Sequence, residues 1–190
     1  MRDMVVQYER RPITVDDFER MVNAGIFGPE ERVELVEGVL ISHAPPHNPP
    51  HAGTIGRLTR VFGERFGRRI VLWIQLPIVV SNLTELEPDV SLLVDRGHLY
   101  EETLPRVGDV YAVLEVADSS LWYDRGKKLE IYAESGIAEY WIIDVAKQGI
   151  QIYNKPLGRR YGSYRLALRG THVAFAAFPD VVFSVDELLG

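Results

Sequence analysis

Residues 109–145 read DVYAVLEVADSSLWYDRGKKLEIYAESGIAEYWIIDV, and two β-rich apolar runs in this stretch flank a segment of helical periodicity. The runs at about 109–117 and 140–145 predict buried strands. The segment between them predicts a helix at about 123–135 that Gly136 ends. The buried face of this helix would carry Leu129, Tyr132 and Ala133. A strand, a helix and a strand in this order indicate an α/β or α+β fold.

The remaining elements mix short helices and strands. Thr14 and Asp17 predict the start of a helix at 14–24, and the Glu37-Gly38 pair predicts a tight turn inside a hairpin at 32–42. A helix is predicted at about 51–67, followed by a β-rich run at 70–80 and a strand at about 89–95. Towards the C-terminus, a second hairpin has its return strand at 150–153, and short strands with a last helical turn follow at about 160–189. The sequence therefore predicts one domain over residues 1–190, with a central mixed sheet flanked by helices.

Composition narrows the class of protein. The chain has 190 residues, 46% hydrophobic and 25% charged, which suits one globular domain with a sizeable core. It contains no cysteine, which excludes disulfides and thiolate metal sites and favours a reducing compartment. The N-terminus lacks the apolar run of a signal peptide, and no stretch has the length of a membrane span. We expect a cytoplasmic protein.

The formal net charge is −6, so the chain as a whole does not attract the negatively charged phosphates of nucleic acid. Cations are concentrated in three places, at Arg57–Arg69, at Arg125–Lys128 and at Arg159–Arg160. Each group taken alone is typical of a solvated surface. The large aromatic residues in or beside apolar runs are interpreted as core rather than as base-stacking residues, and they are Trp73, Trp122, Tyr140 and Trp141.

Two acidic residues interrupt predicted strands, Asp89 in EPDV and Glu115 in VLEV. Burying a bare carboxylate is costly, so each must find a partner or bind something. Alone, Asp89 is typical of a turn and Glu115 of a buried salt bridge. Two such acids followed by a lysine are also what a magnesium-dependent phosphodiesterase needs, because the acids hold a hard cation and the lysine faces the charge that develops on phosphate.

The predicted helix supplies that lysine. Asp124, Lys128 and Tyr132 are spaced i, i+4 and i+8 and therefore lie along one face. This face borders the buried stripe, which predicts that Lys128 points toward Glu115. Lys127 lies about 100° around the helix and is predicted to point into solvent. The plainer alternative is an ordinary Asp124–Lys128 pair on a helix surface.

Six motifs in order along the chain give it a family resemblance. They are Glu34-Leu35-Val36-Glu37-Gly38, a proline-rich loop ending at His51, Glu87-Pro88-Asp89-Val90, Leu114-Glu115-Val116, Tyr123-Asp124-Arg125-Gly126-Lys127-Lys128 and Gly136-Ile137-Ala138-Glu139-Tyr140-Trp141-Ile142-Ile143-Asp144. In this combination the chain resembles the Uma-two family, formerly a domain of unknown function, whose members are regarded as endonucleases of the PD-(D/E)XK restriction-endonuclease-like superfamily. The resemblance covers about residues 12–189 and is most specific at 123–144.

The resemblance implies a restriction-endonuclease-like fold with a site at one end of the sheet. It implies that Asp89 and Glu115 are the catalytic acids, and that Glu34 is a further metal ligand or water-positioning acid. The position two residues after Glu115 is Ala117, where the superfamily has lysine, and Lys128 matches a lysine that the family carries on the following helix.

Three other residues match recurrent family positions, which makes them accessory candidates near the acids. They are His51, Asp124 and Tyr132. A rival zinc site at His43, His47 and His51 is disfavoured, because the prolines at 45, 46, 49 and 50 forbid the helix that would align these histidines.

The sequence therefore predicts a Mg²⁺- or Mn²⁺-dependent endonuclease in which Asp89, Glu115 and Glu34 hold the metal and Lys128 assists. The expected substrate is nucleic acid, DNA before RNA, and a homodimer would suit an enzyme that contacts two strands. Two alternatives remain open: a catalytically inactive nuclease fold that serves binding or assembly, and a phosphohydrolase acting on a small phosphate.

Overall fold

A six-stranded mixed sheet forms the centre of the computed structural model, which describes residues 10–29, 31–43, 49–97, 99–118 and 120–190. Its strands are β3 (Val71–Ile74), β6 (Val90–Leu93), β7 (Val110–Ala117), β8 (Glu139–Asp144), β9 (Gly149–Leu157) and β10 (Arg160–Leu168). They lie in the order β10-β9-β8-β7-β6-β3. Only β7 and β8 pair in parallel among these neighbours, with Glu115 opposite Ile142.

Two smaller sheets and the helices surround the central sheet. An antiparallel sheet of order β2-β1-β5-β4 contains β1 (Arg32–Val36), β2 (Val39–His43), β4 (Ile78–Ser81) and β5 (Thr84–Leu86). A short pair joins β11 (His172–Val173) and β12 (Phe183–Ser184). The helices are α1 (Val15–Asn23), α2 (Pro49–Phe66), α3 (Leu121–Tyr123), α4 (Leu129–Ser135) and α5 (Val185–Leu189), with 3₁₀ turns at Gly67–Arg69 and Val107–Asp109. The predicted mixed sheet flanked by helices is confirmed.

The segment from β7 to β8 explains the parallel pair, since parallel strands need a long connection that crosses one face of the sheet. This connection contains α3, a π-helical turn at Asp124–Lys128 and α4, which run without interruption and are called the site helix (residues 121–135). The site helix ends where Gly136 adopts a left-handed conformation with φ of 87°. A glycine accommodates this angle without a steric penalty.

Each face of the central sheet has its own core. On one face α2 packs through Leu58, Phe62 and Phe66 against β7 and the phenylalanines of the C-terminal segment. On the other face the site helix packs against β7 and β8 through Ile131 and Tyr132. Glu115 lies between Leu114 and Val116, which belong to the first core, and therefore points to the face of the site helix.

Several predicted details are corrected by the structure. The run at 70–80 is two strands in different sheets, because Gln75 has a φ of 49° and Pro77 interrupts the ladder. Counting alternate residues along β7 predicts that Tyr111 shares a face with Glu115. This prediction is wrong, because the register between β6 and β7 shifts beside Tyr111 and its ring packs on the α2 side against Phe178. Trp122 is 86% exposed and is not a core residue.

Other predictions are confirmed in place. Thr14 and Asp17 form the capping box of α1, and the hairpin of β1 and β2 turns at Glu37 and Gly38. His47 and the side chain of His43 lie outside the described residues. Within the described ranges, no helix combines the length and apolar character needed to cross a membrane.

Candidate active site at the end of the central sheet

The pairing of β6 with β7 brings the two predicted acids to one place. Val90 lies opposite Leu114 in this antiparallel pair, so Asp89, which immediately precedes β6, lies at the level of Glu115. The Asp89 carboxylate accepts a hydrogen bond from the backbone N–H of Val116 at 2.8 Å. Asp89 is therefore attached to the strand that carries Glu115, and its side chain position depends on the sheet register.

Two further side chains orient Asp89. Its Oδ1 accepts from the amide of Gln75 at 3.3 Å, and its Oδ2 lies 3.2 Å from Nε2 of His51 in the first turn of α2. His51 is buried, and its hydrogen bond to Asp89 raises the pKa of the imidazole although burial opposes the shift. The His51 match predicted by family resemblance thus lies in contact with a predicted catalytic acid.

Glu115 receives two donors from the site helix. Lys128 Nζ lies 2.9 Å from Oε1 of Glu115, and the hydroxyl of Tyr132 donates to the same oxygen at 2.9 Å. The predicted orientation of Lys128 is confirmed. Lys127 points away from the acids, as predicted. Its side chain is partly exposed and pairs with Glu37 at 2.6 Å.

Glu34 joins this group from the neighbouring sheet. Its Oε1 lies 3.5 Å from Lys128 Nζ and accepts from the backbone N–H of Glu87 at 2.9 Å. Lys128 therefore lies between Glu34 and Glu115, and all three side chains are buried. The Lys128 ammonium thus forms an ionic bridge between the carboxylates of Glu34 and Glu115.

Burial and charge act on these groups in opposite directions. Burial would lower the pKa of Lys128, but the charges of Glu115, Glu34 and Asp124 outweigh it and raise that pKa. Burial raises the pKa of Glu115, with further contributions from Asp124 and Asp89 that Lys128 opposes. We take the ion pair as the resting state, because Oε1 of Glu115 accepts from two donors at once.

The π-helical turn begins at Asp124 and ends at Lys128, which lie four residues apart and face the same region. Asp124 is buried, its Oδ2 accepts from Ser120 at 2.6 Å, and burial raises its pKa. The Tyr123 ring centroid lies 5.9 Å from Lys128 Nζ, within the range of a cation–π contact. Turns of this kind occur frequently at functional sites.

A second polar network beside the site was missed by sequence reasoning. Arg125 Nε donates to Oε1 of Gln151 at 2.7 Å, and Asp144 lies 3.9 Å from the guanidinium. Asp144 and Gln151 are buried, and Asp144 lies opposite Ala117 in the parallel pair. The available signal for Asp144 was an acid at the end of an apolar run, whereas Glu115 was identified as an acid inside one. No comparable signal marks Gln75 or Gln151.

Three arginines of α2 and of the 3₁₀ turn that follows it hold the C-terminal segment. Arg65 pairs with Glu187 at 3.2 Å, and Arg69 pairs with Asp180 at 2.6 Å. Arg57 donates to the backbone carbonyl of Leu189 at 2.8 Å. These contacts fasten the C-terminal segment to α2, which agrees with the interpretation of this cluster as surface.

The carboxylates of Asp89 and Glu115 are suitable ligands for a hard divalent cation, although they do not form a complete set. No three acidic or histidine side chains within the described ranges form a group that could hold a metal ion. Magnesium is commonly held by one or two carboxylates, with water and substrate phosphate oxygens completing the shell. Asp89 and Glu115 match that pattern, and the contacts given above for Glu115 all fall on Oε1, which leaves Oε2 as the oxygen available to a cation.

Comparison with known proteins agrees with this class of fold. A "putative nuclease belonging to DUF820" from Anabaena variabilis superposes on 94% of this chain and 98% of its own, with a TM-score of 0.71 at 17% identity. The two chains share a fold. The sequence also matches the family model Uma2, described as "Putative restriction endonuclease", over residues 15–186. The chain belongs to this family, which confirms the resemblance. No curated protein matches it by sequence.

Proposed function

We propose that the protein is a divalent-cation-dependent endonuclease. The observation that carries the proposal is the buried ammonium of Lys128, held 2.9 Å from Glu115 and 3.5 Å from Glu34 at the sheet end where Asp89 also lies. Membership of a family described as restriction endonucleases, and the shared fold with a protein described as a nuclease, support the same reaction class.

Asp89 and Glu115 would hold Mg²⁺ or Mn²⁺, and Glu34 would assist as a ligand or by positioning water. When bound, such an ion lowers the pKa of its water and polarises a phosphate oxygen. The protein contributes orientation: Val116, Gln75 and His51 hold Asp89 in place. Tyr132 holds Glu115 in place through its hydroxyl.

Lys128 would stabilise the negative charge that develops on phosphate during attack. The chemistry needs an ammonium at a point in space, and the site helix delivers one although the strand carries Ala117 at the usual lysine position. In the structure Lys128 lies between two buried carboxylates and pairs with both. To face a phosphate, the Lys128 ammonium would have to turn from these carboxylates, whose charge a cation held by Asp89 and Glu115 would then balance.

His51, Asp124 and Tyr132 would act through the residues they contact. His51 accompanies Asp89, Tyr132 accompanies Glu115, and Asp124 adds negative charge near Lys128. We propose DNA as the substrate class, and a dimer as the active form if both strands are cut.

The direct test is cleavage of supercoiled plasmid and of single-stranded DNA and RNA with Mg²⁺, with Mn²⁺ or with EDTA. We expect cleavage with a divalent cation and none with EDTA. Asp89→Asn should abolish it, whereas Asp16→Asn, the same change on the exposed surface of α1, should not. Unchanged cleavage by Asp89→Asn would contradict the assigned role of Asp89.

A second candidate function, a catalytically inactive binding module, is favoured by one observation. Among the described residues no three-ligand acidic group is formed, and Lys128 closes the space between Glu34 and Glu115. Nucleic-acid binding without cleavage under any divalent cation would support this function. Hydrolysis of p-nitrophenyl phosphate without DNA cleavage would instead indicate a phosphohydrolase.

A further inference from the structure

Trp122 is the most exposed large apolar side chain among the described residues, at 86% of its full accessibility. The other two tryptophans behave differently: Trp141 is fully buried, and Trp73 is half-buried and donates to the carbonyl of Pro77. An indole left in water forgoes the free energy that burial would supply, which is large for a side chain of this size. The indole of Trp122 is therefore open to stack against a ligand.

Trp122 lies at the edge of the candidate active site. It precedes Tyr123, whose ring contacts Lys128, and it is six residues before Lys128 on the site helix. Six residues correspond to about 9 Å along a helix axis. On a regular helix six residues are also about 240° around the axis, so the indole and the Lys128 ammonium lie on different faces, with Arg125 between them. A strand that contacts both residues must therefore pass around the helix by way of Arg125.

Arg125 supplies a fixed cation one turn along the same helix. Its Nε donates to the buried side chain of Gln151 at 2.7 Å, and the guanidinium lies 3.9 Å from buried Asp144. The side chain nevertheless remains 39% exposed. A guanidinium held at one edge and open at the other is suited to contact a phosphate.

We propose that Trp122 and Arg125 form a binding platform for an unpaired strand of nucleic acid, with the indole stacked on a base and the guanidinium on a phosphate. This inference rests on the proposed nuclease function and specifies its substrate as one with a single-stranded segment. An aromatic ring beside a cation is the usual combination for binding single strands without sequence preference. Bases of an intact duplex are stacked on each other, so their faces are closed to the indole.

Because Trp122 is exposed, it reports on its own binding. Titration with unlabelled dT12 in buffer containing EDTA, which prevents cleavage, should quench the exposed tryptophan emission of the wild-type protein. In Trp122→Phe the emission that remains comes from Trp73 and Trp141, and dT12 should leave it unchanged. Absence of quenching in the wild type would overturn the proposal.

Affinity for fluorescein-labelled dT12 separates the two residues. Loss of stacking on one base should weaken the binding of dT12 by Trp122→Ala roughly 10-fold. The affinity of Trp122→Phe should lie between those of Trp122→Ala and the wild type. Val182→Ala removes an exposed apolar side chain beside the far end of α2 and should bind like the wild type. Arg125→Ala should reduce the slope of log affinity against log salt by about 0.7, the value for one phosphate contact on a single strand. Trp122→Ala should leave this slope unchanged.

The outcomes distinguish the platform from the nuclease. If Trp122→Ala binds dT12 as tightly as the wild type while the wild type cleaves DNA, the platform is wrong and the nuclease stands. If dT12 binds as expected but no cation supports cleavage, the platform stands and the nuclease proposal fails. Equal loss of affinity for dT12 and for a blunt duplex, or loss of a dimer in Trp122→Ala by sedimentation, would overturn the platform.

Discussion

The ammonium of Lys128 lies 2.9 Å from Oε1 of Glu115, although the two residues are 13 positions apart and belong to a helix and a strand. The parallel pairing of β7 with β8 forces the site helix to cross the face of the sheet that Glu115 occupies. In the proposed nuclease, this helix lysine would take the place of the lysine that the superfamily carries two residues along the strand. The contact also opposes the rise that burial causes in the pKa of Glu115.

Replacing Lys128 by Met tests this contact, since Met has a similar shape and no charge. Lys128 is proposed to stabilise the charge on the reacting phosphate, so its replacement should lower cleavage by about 100-fold or more. Glu115 and Glu34 would lose their counter-charge, so the free energy of unfolding at pH 8 should fall by about 3 kcal/mol. Urea unfolding and initial cleavage rates give the two values.

Lys127→Met is the matched control on the same turn. Lys127 pairs with Glu37 at the surface, and such pairs contribute little to stability. We expect cleavage close to the wild-type rate and a change in unfolding free energy within about 0.5 kcal/mol. Equal loss of activity in both variants would refute the special position of Lys128.

The His51–Asp89 contact predicts a titration that NMR can follow. The hydrogen bond to Asp89 raises the pKa of His51 above 6.5 in the folded protein. Its stabilising contribution is therefore complete below pH 6.5 and is lost as the pH rises through the folded value. Asp89→Asn should lower the pKa of His51, because burial then acts without the carboxylate. Asp16→Asn should leave the His51 titration where it is, and an unchanged titration in Asp89→Asn would contradict the contact.

Glu85 predicts an unusual dependence of stability on pH. This β5 residue is 7% exposed, and its Oε2 has no hydrogen-bond partner among the described residues. Burial, with the charge of Glu19, raises its pKa from 4.5 to about 7. The folded state therefore holds a proton that the unfolded state releases above pH 4.5, and stability should fall as the pH rises toward and through 7.

Glu85→Gln should remove this dependence. At one pKa unit per about 1.4 kcal/mol, the variant should be more stable than the wild type at pH 8 by on the order of 3 kcal/mol. At pH 4 the two proteins should be similar. Glu101→Gln, on an exposed loop, should match the wild type at both values. Urea unfolding at pH 4 and pH 8 measures the difference, and equal stability of Glu85→Gln and wild type at pH 8 would show that Glu85 is ionised without cost.

Tyr132→Phe removes one of the two donors to Glu115 and keeps the ring. The lost hydrogen bond should lower the free energy of unfolding by about 1–2 kcal/mol. Cleavage should fall less than in Lys128→Met, because Tyr132 orients Glu115 without contacting phosphate. Tyr161→Phe, whose hydroxyl donates to a backbone carbonyl away from the acids, is the matched control and should retain full cleavage.

Local patterns in the sequence determined the elements and most of the candidate residues. Periodicity indicated the site helix and the strands β7 and β8, because apolar spacing follows directly from helical and extended geometry. The same spacing placed Lys128 and Tyr132 on one helix face, and both do contact Glu115. Family motifs added Glu34 and His51, which no spacing rule would have joined to the acids.

Tertiary structure alone decided which polar groups meet. Gln75 reaches Asp89 because β3 and β6 are paired, and Gln151 reaches Arg125 because β9 follows β8 in the sheet. The exposure of Trp122 depends on which elements pack around it. The side of the sheet that Tyr111 occupies depends on the register shift between β6 and β7. A sequence specifies the period of each element, whereas contacts between elements depend on pairing and register, to which residues far apart in the chain contribute together.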